Sequence, residues 1–151
     1  MTQKADVIYR KLEARDFAVL FAELVDQPVT ADSSQFLKVL KFQGTQMFGA
    51  EVNGKIISMA TPHVLPNLGG VRLAYGLVEN VVTLRASQKQ GFGRDVMSLL
   101  IEAAWDAGAY KIMLLTGVEA GARRFYEKVG FSGESKIGMQ TRRIPVRKSE
   151  R

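Results

Sequence analysis

Apolar and polar positions alternate along the chain in a way that divides it into a short series of elements. Val7-Ile8-Tyr9 reads as a first strand, and Asp16 as the N-cap of a helix over Phe17 to Val25. Pro28 ends that region. Asp32 or Ser33 then caps a second helix through Phe36, Leu37 and Leu40, with Gly44 marking its end. From Thr45 the period shortens to two residues. Met47–Val52 and Lys55–Val64 flank Asn53-Gly54, the dipeptide that most strongly signals a two-residue hairpin turn. Proline cannot donate to a ladder, so Pro62 and Pro66 predict that the second of these strands frays or lies at an edge. Pro66–Gly70 is expected to be a loop. Leu73–Leu84 resumes as a long strand, with Gly76 marking a bend or bulge.

Helical spacing returns after Gly93, in Val96, Leu99, Leu100, Ala103, Ala104 and Ala107, and Gly108 fits the terminating position. Tyr110–Thr116 is an apolar run of strand length. A further helix carries Ala122, Phe125, Tyr126 and Val129 on one side and stops at Gly130. Phe131–Met139 is expected as a last strand. There is no repeat, linker or low-complexity block. The pattern predicts a single α/β (α+β) domain over residues 1–151: a mixed, mostly antiparallel sheet of six to seven strands flanked by about four helices. The strands before the glycine turn read as an antiparallel meander. The unit from Val78 to Thr116 is long enough for a parallel crossover. A ligand crevice is expected where the one gives way to the other.

Composition narrows the class. The chain has 151 residues, 46% hydrophobic and 24% charged, enough for one domain with a proper core. It has no cysteine, which excludes disulfides and thiolate metal sites, and no metal is expected. The N-terminus lacks the apolar core of a signal peptide, and no run reaches the 18 or so apolar residues of a membrane span. The expectation is a soluble, cytoplasmic protein without membrane contact. Net charge is +6. Part of it lies in a basic tail from about residue 140, in Arg142, Arg143, Arg147, Lys148 and Arg151. Aromatic residues are not interleaved with those basic ones, so a solvated terminus is preferred to nucleic-acid binding. The remaining positive charge suits an anionic ligand.

Three features carry chemistry. The first is the turn Gln88-Lys89-Gln90-Gly91-Phe92-Gly93, followed by Arg94. Two glycines there remove side chains where a ligand oxygen would approach. The first amides of the following helix are unsatisfied donors, backed by about half a positive charge from the helix dipole. The arrangement suits a pyrophosphate, with Lys89 and Arg94 adding charge; an ordinary glycine-bearing connection fits the local pattern equally well. Neither GxGxxG nor the GK[ST] of a P-loop is present. The second feature is Glu79 within the apolar strand Leu77–Val82. Strict alternation puts Glu79 and Val81 on one face and Val78, Asn80 and Val82 on the other. A carboxylate there, partly desolvated, would serve as a base near neutral pH; a salt-bridged or surface glutamate fits as well. The third is Tyr126 in Phe125–Phe131, a packed aromatic whose phenol could protonate a basic leaving group such as a thiolate. His63, the only histidine, reads as a structural loop residue or the lining of an acceptor pocket.

Gln88, Gly91 and Gly93 match Q/R-x-x-G-x-G/A, and Phe125–Phe131 match FYEKxGF, with a helix and the strand Ile112–Thr116 between. In that order these residues resemble the GNAT N-acetyltransferase superfamily, strongly from about Val71 to Phe131 and more loosely over nearly the whole chain. The resemblance implies two splayed central strands with the pantetheine arm of acetyl-CoA between them. It implies cofactor contacts from Val81, Val82 and Thr83, and pyrophosphate contacts along Gln88, Lys89, Gln90, Gly91, Phe92, Gly93 and Arg94. It makes Tyr126 the acid toward the CoA thiolate and Glu79 the base toward the amine, directly or through water, with the Val82 amide as an oxyanion donor. Three departures stand out: Leu84-Arg85 replaces His-Pro, Gln88-Lys89 replaces Arg-Gly, and Glu119 replaces an Asn that commonly contacts the pantetheine region. The expected function is acetyl transfer from acetyl-CoA to a primary amine of a small molecule or peptide, by direct attack on the thioester. The alternative is a non-catalytic acyl-CoA-binding regulatory domain. A homodimer is compatible with either, and the acceptor segments carry no pattern that selects a substrate.

Overall fold

A computed structural model describes residues 6–16, 33–118 and 120–145. Its strands are Val7–Lys11 (β1), Phe48–Val52 (β2), Lys55–Gly69 (β3), Arg72–Thr83 (β4) and Ala109–Met113 (β5), joined in one sheet in that order. The first four are antiparallel neighbours, whereas β4 and β5 run parallel, as the crossover length allows. Three α-helices accompany them: Ser33–Leu40 (α1), Phe92–Asp106 (α2) and Ala120–Lys128 (α3). The expected helix over Phe17 to Val25 lies outside the described residues. The chain divides into two compact units, residues 1–116 and 117–151.

The described residues hold five strands and three α-helices, fewer than the six to seven and about four expected. The expected strand Phe131–Met139 does not form. Its middle, Ser132-Gly133-Glu134-Ser135-Lys136, offers no alternating apolar face to bury, and Ile137 and Met139 remain 90% and 89% exposed.

The β2–β3 hairpin turns through Asn53 and Gly54 at φ 50° and 77°, the left-handed pair that a two-residue turn of matching twist demands. Beyond it, β3 pairs with β2 only as far as Ala60. The outer half, with Pro62 opposite Val78 and Pro66 opposite Ala74, has β4 on one flank and no β2 on the other. A proline there removes no bond to β2. On that flank the Gln46 amide donates to the Pro62 carbonyl and the Val64 amide to the Gly44 carbonyl, so among the described residues the edge expectation holds only beyond Val64, and the strand does not fray. It runs through the supposed loop to Gly69 and turns into Arg72.

Leu12, Phe36, Met47, Ile56 and Met59 form a buried cluster, with Val39, Leu40, Val82 and Leu84 packed against it. Each such side chain stabilises the fold by roughly 1.5–3 kcal/mol when fully buried. Helix α2 buries Val96, Met97, Leu100 and Ala104 and packs mainly on β3. Gly108, at φ 83°, ends the helix as its position predicted, its amide donating to the Trp105 carbonyl. On β1, both terminal nitrogens of Arg10 donate to Asp16 at 2.8 Å, and its Nε donates to Glu51 at 2.7 Å. The Asp16 carboxylate also accepts the Glu13 amide. Chiefly the Arg10 hydrogen bonds hold it below the usual carboxylate range.

Candidate active site

The parallel pairing of β4 with β5 begins at Ala74 and Ala109 and ends at Leu77 and Met113. Near its end, Gly76 lets the strands approach closely: a Cβ there would sit 3.2 Å from Ile112 Cγ1. Beyond Met113 the residues Leu114–Thr116 leave the sheet, so β5 is shorter than the expected Tyr110–Thr116, while β4 continues to Thr83. Among the described residues, no strand flanks this last part of β4 on the β5 side.

That last part of β4 is bulged. Thr61 pairs with Glu79 and Met59 with Val82, so β4 carries one residue more than β3, and Asn80 takes a left-handed φ of 54°. The bulge corrects the strict alternation expected from the sequence. Thr61 and Met59 share a face, so Glu79 and Val82, directly opposite them, also share one. Glu79 is exposed rather than partly desolvated.

Ladder geometry then settles where the backbone points. The Leu84 amide donates to the Ile57 carbonyl at 2.9 Å. Hydrogen-bonded and non-hydrogen-bonded pairs alternate, so Thr83–Ser58 is an open pair and Val82–Met59 a bonded one. The Val82 amide, expected as an oxyanion donor, is therefore turned toward β3. Its side chain packs on the core. Val81 and Thr83 turn their amides to the flank that β5 has vacated.

The turn after β4 is built by its own side chains. Gln88 Nε2 donates to the Thr83 carbonyl and Gln90 Nε2 to the Ala86 carbonyl, both at 3.1 Å. Lys89 takes φ 62° and Gly91, the N-cap of α2, takes 96°. The first helical bond runs from the Asp95 amide to the Gly91 carbonyl. The amides of Phe92, Gly93 and Arg94 come before it and open toward the helix N-terminus. With Lys89 and Arg94 exposed beside them, these donors fit a phosphate-type anion.

Sequence reasoning missed Tyr9 and Asp95. The Tyr9 hydroxyl donates to Asp95 Oδ2 at 2.8 Å, while Arg94 Nε donates to Oδ1 at 3.1 Å. Burial first, then the hydrogen bond and charge of Asp95, push the Tyr9 phenol up to about 12. An acidic residue in a first helical turn is an ordinary signal, but nothing local links it to a tyrosine 86 positions away.

Within the second unit, the FYEK segment lies on α3 as expected. Tyr126 is half-buried, its ring 5.0 Å from that of Phe125 and 6.1 Å from that of Phe131, both edge-on. The Phe131 amide donates to the Tyr126 carbonyl at 3.1 Å, after Gly130 reverses the chain at φ 98°. In the first unit His63 is a strand residue. Its Nδ1 lies 2.7 Å from Thr45 Oγ1, a contact that pins the 44–46 segment to β3. Among the described residues no cluster of three or more His, Asp or Glu could hold a metal ion, and no helix is long and apolar enough to cross a membrane.

The family model described as the acetyltransferase (GNAT) family matches residues 10–131. A candidate acetyltransferase from Agrobacterium tumefaciens strain C58 is 35% identical, with a TM-score of 0.82 over 89% of this chain and 99% of its own. Glucosamine-6-phosphate N-acetyltransferase from Arabidopsis thaliana shares the fold at 24% identity and a TM-score of 0.77, over 92% of this chain and 99% of its own. So does a candidate acetyltransferase from Clostridium acetobutylicum whose structure holds acetyl-CoA, at 21% identity and a TM-score of 0.69, over 89% and 96% of the two chains. No curated protein matches significantly.

Proposed function

Because the chain belongs to the acetyltransferase (GNAT) family, we propose that it transfers the acetyl group of acetyl-CoA to a primary amine of a small molecule or peptide. One observation carries this reading. The unpaired end of β4 leads directly into a turn whose helix amides fit a phosphate, so one continuous backbone offers donors to both ends of an acyl-CoA. The Val81 and Thr83 amides would hold the acyl-pantetheine end, and residues 88–94 the pyrophosphate. The Clostridium relative's acetyl-CoA supports the same choice of co-substrate.

In the reaction the amine nitrogen forms a bond to the thioester carbonyl carbon, the C–S bond breaks, and the CoA thiolate leaves. Glu79, exposed at the bulge, takes the proton that the amine must lose, directly or through water. Tyr126 returns a proton to the thiolate sulfur; the FYEKxGF match supports that role. Val81 replaces Val82 as the donor to the carbonyl oxygen, since the Val82 amide is turned to β3. Both compact units belong to one catalytic domain on this reading, which the family match across their boundary supports.

A thermal shift with acetyl-CoA, followed by CoA release against a panel of amines, tests the proposal. Stabilisation together with amine-dependent release is expected. No stabilisation would overturn it, and stabilisation without release from any amine would point to a non-catalytic acyl-CoA-binding domain.

A further inference from the structure

The bulge that aims Val81 and Thr83 is fastened from below by β3. At one end, Asn80 Nδ2 donates to Thr61 Oγ1 at 3.4 Å, and Thr61 is wholly buried. At the other, Ser58 Oγ lies 2.7 Å from Thr83 Oγ1 and donates to the Val82 carbonyl at 3.3 Å; Ser58 is 1% exposed. Two polar side chains of one strand interior thus meet the two ends of a four-residue stretch, 80–83. Ser58 and Thr61 put hydroxyls at buried positions that apolar side chains more often fill.

Asn80 itself argues for the same role. Its φ of 54° is one that glycine adopts freely and asparagine tolerates. Glycine would satisfy the backbone alone. Asparagine also reaches Thr61, so the residue combines the turn with the tie. We propose that Asn80, Thr61 and Ser58 are positioning residues: they clamp the β4 bulge so that the Val81 and Thr83 amides face the acyl group. This rests on the acetyl-CoA reading above. A loosened clamp should leave CoA held by the turn at residues 88–94 but misalign the carbonyl in the transition state, and so lower kcat rather than affinity.

The variants are T61V, which removes the acceptor at nearly constant shape, S58A, and N80G, which keeps the backbone angle and removes the tie. Two measurements are made on the full chain. In steady-state kinetics and CoA titration, kcat is expected to fall tenfold or more while CoA affinity stays within threefold. In hydrogen exchange without ligand, the Val82 and Leu84 amides are expected to exchange at least tenfold faster, with the β2–β3 hairpin amides unchanged. An unchanged kcat in T61V and N80G would overturn the proposal, as would equal losses of kcat, affinity and melting temperature. If the unaltered protein neither binds acetyl-CoA nor releases CoA, the function falls instead. The exchange measurement then decides the clamp alone: unchanged Val82 and Leu84 rates reject it.

Discussion

Lys89 holds a backbone angle that suits glycine. A left-handed non-glycine residue costs about 1–2 kcal/mol, part of which glycine returns through its greater freedom when unfolded. Lys89→Gly should therefore raise the melting temperature by a few degrees, at roughly 2–4 °C per kcal/mol for a chain of this size. It also removes an exposed cation beside the helix amides, and an exposed ion pair with an anion is worth about 0.2–1 kcal/mol at low salt. Acetyl-CoA affinity should then fall about two- to fivefold, and less steeply with added salt than before. Calorimetric titration at two salt concentrations, with a melting curve, checks both; unchanged affinity would remove Lys89 from the phosphate site. The same residue shows what single positions conceal. Gln88, Gly91 and Gly93 identified the turn, but the left-handed angle of Lys89 follows from how the strand end meets the helix, which residue type does not encode. Asn80 is similar: an asparagine in an apolar strand gives no reason to abandon strict alternation, which puts Glu79 and Val82 on different faces.

Between elements, the tie from β1 to the start of α2 sets a pH dependence. The Tyr9 phenol, raised to about 12 from an ordinary value of 10.0, ionises more readily in the unfolded chain than in the fold. Its contribution to stability is complete below pH 10 and is lost as pH rises through 12. Tyr9→Phe should be less stable than the unaltered protein near neutrality, and the gap should close across pH 10 to 12 in denaturant titrations. A gap that persists at pH 12 would show that packing, not the Asp95 hydrogen bond, carries the effect. At this scale local signals were the ones the sequence revealed. The Asn53-Gly54 hairpin and the Gly108 stop of α2 depend on a few adjacent residues, and both form as expected. The length of β3, the end of the β4–β5 pairing and the bulge depend on which strands lie alongside. Pro62 and Pro66 neither fray β3 nor open a loop, because each removes only its own donor.

For the molecule as a whole, the family match runs from residue 10 to 131 and so includes both compact units, with the proposed base in the first and the proposed acid in the second. The two roles act at different bonds, one on the amine and one on the leaving sulfur, so their loss should be felt separately. Tyr126→Phe keeps the ring that packs against Phe125 and Phe131 and removes only the hydroxyl. Turnover should fall by roughly a hundredfold or more, the range of general acid–base contributions, with acetyl-CoA affinity unchanged. Glu79→Gln should lower turnover most for amines that are protonated at the assay pH. It should do so least for weakly basic amines, which arrive already neutral and need no proton removed before attack. Comparing the two variants on a strongly and a weakly basic amine therefore separates them: the Tyr126 defect should be the same for both amines, and the Glu79 defect should shrink for the weaker base. An equal Glu79 defect with either amine would show that the carboxylate binds or orients the acceptor instead of taking its proton.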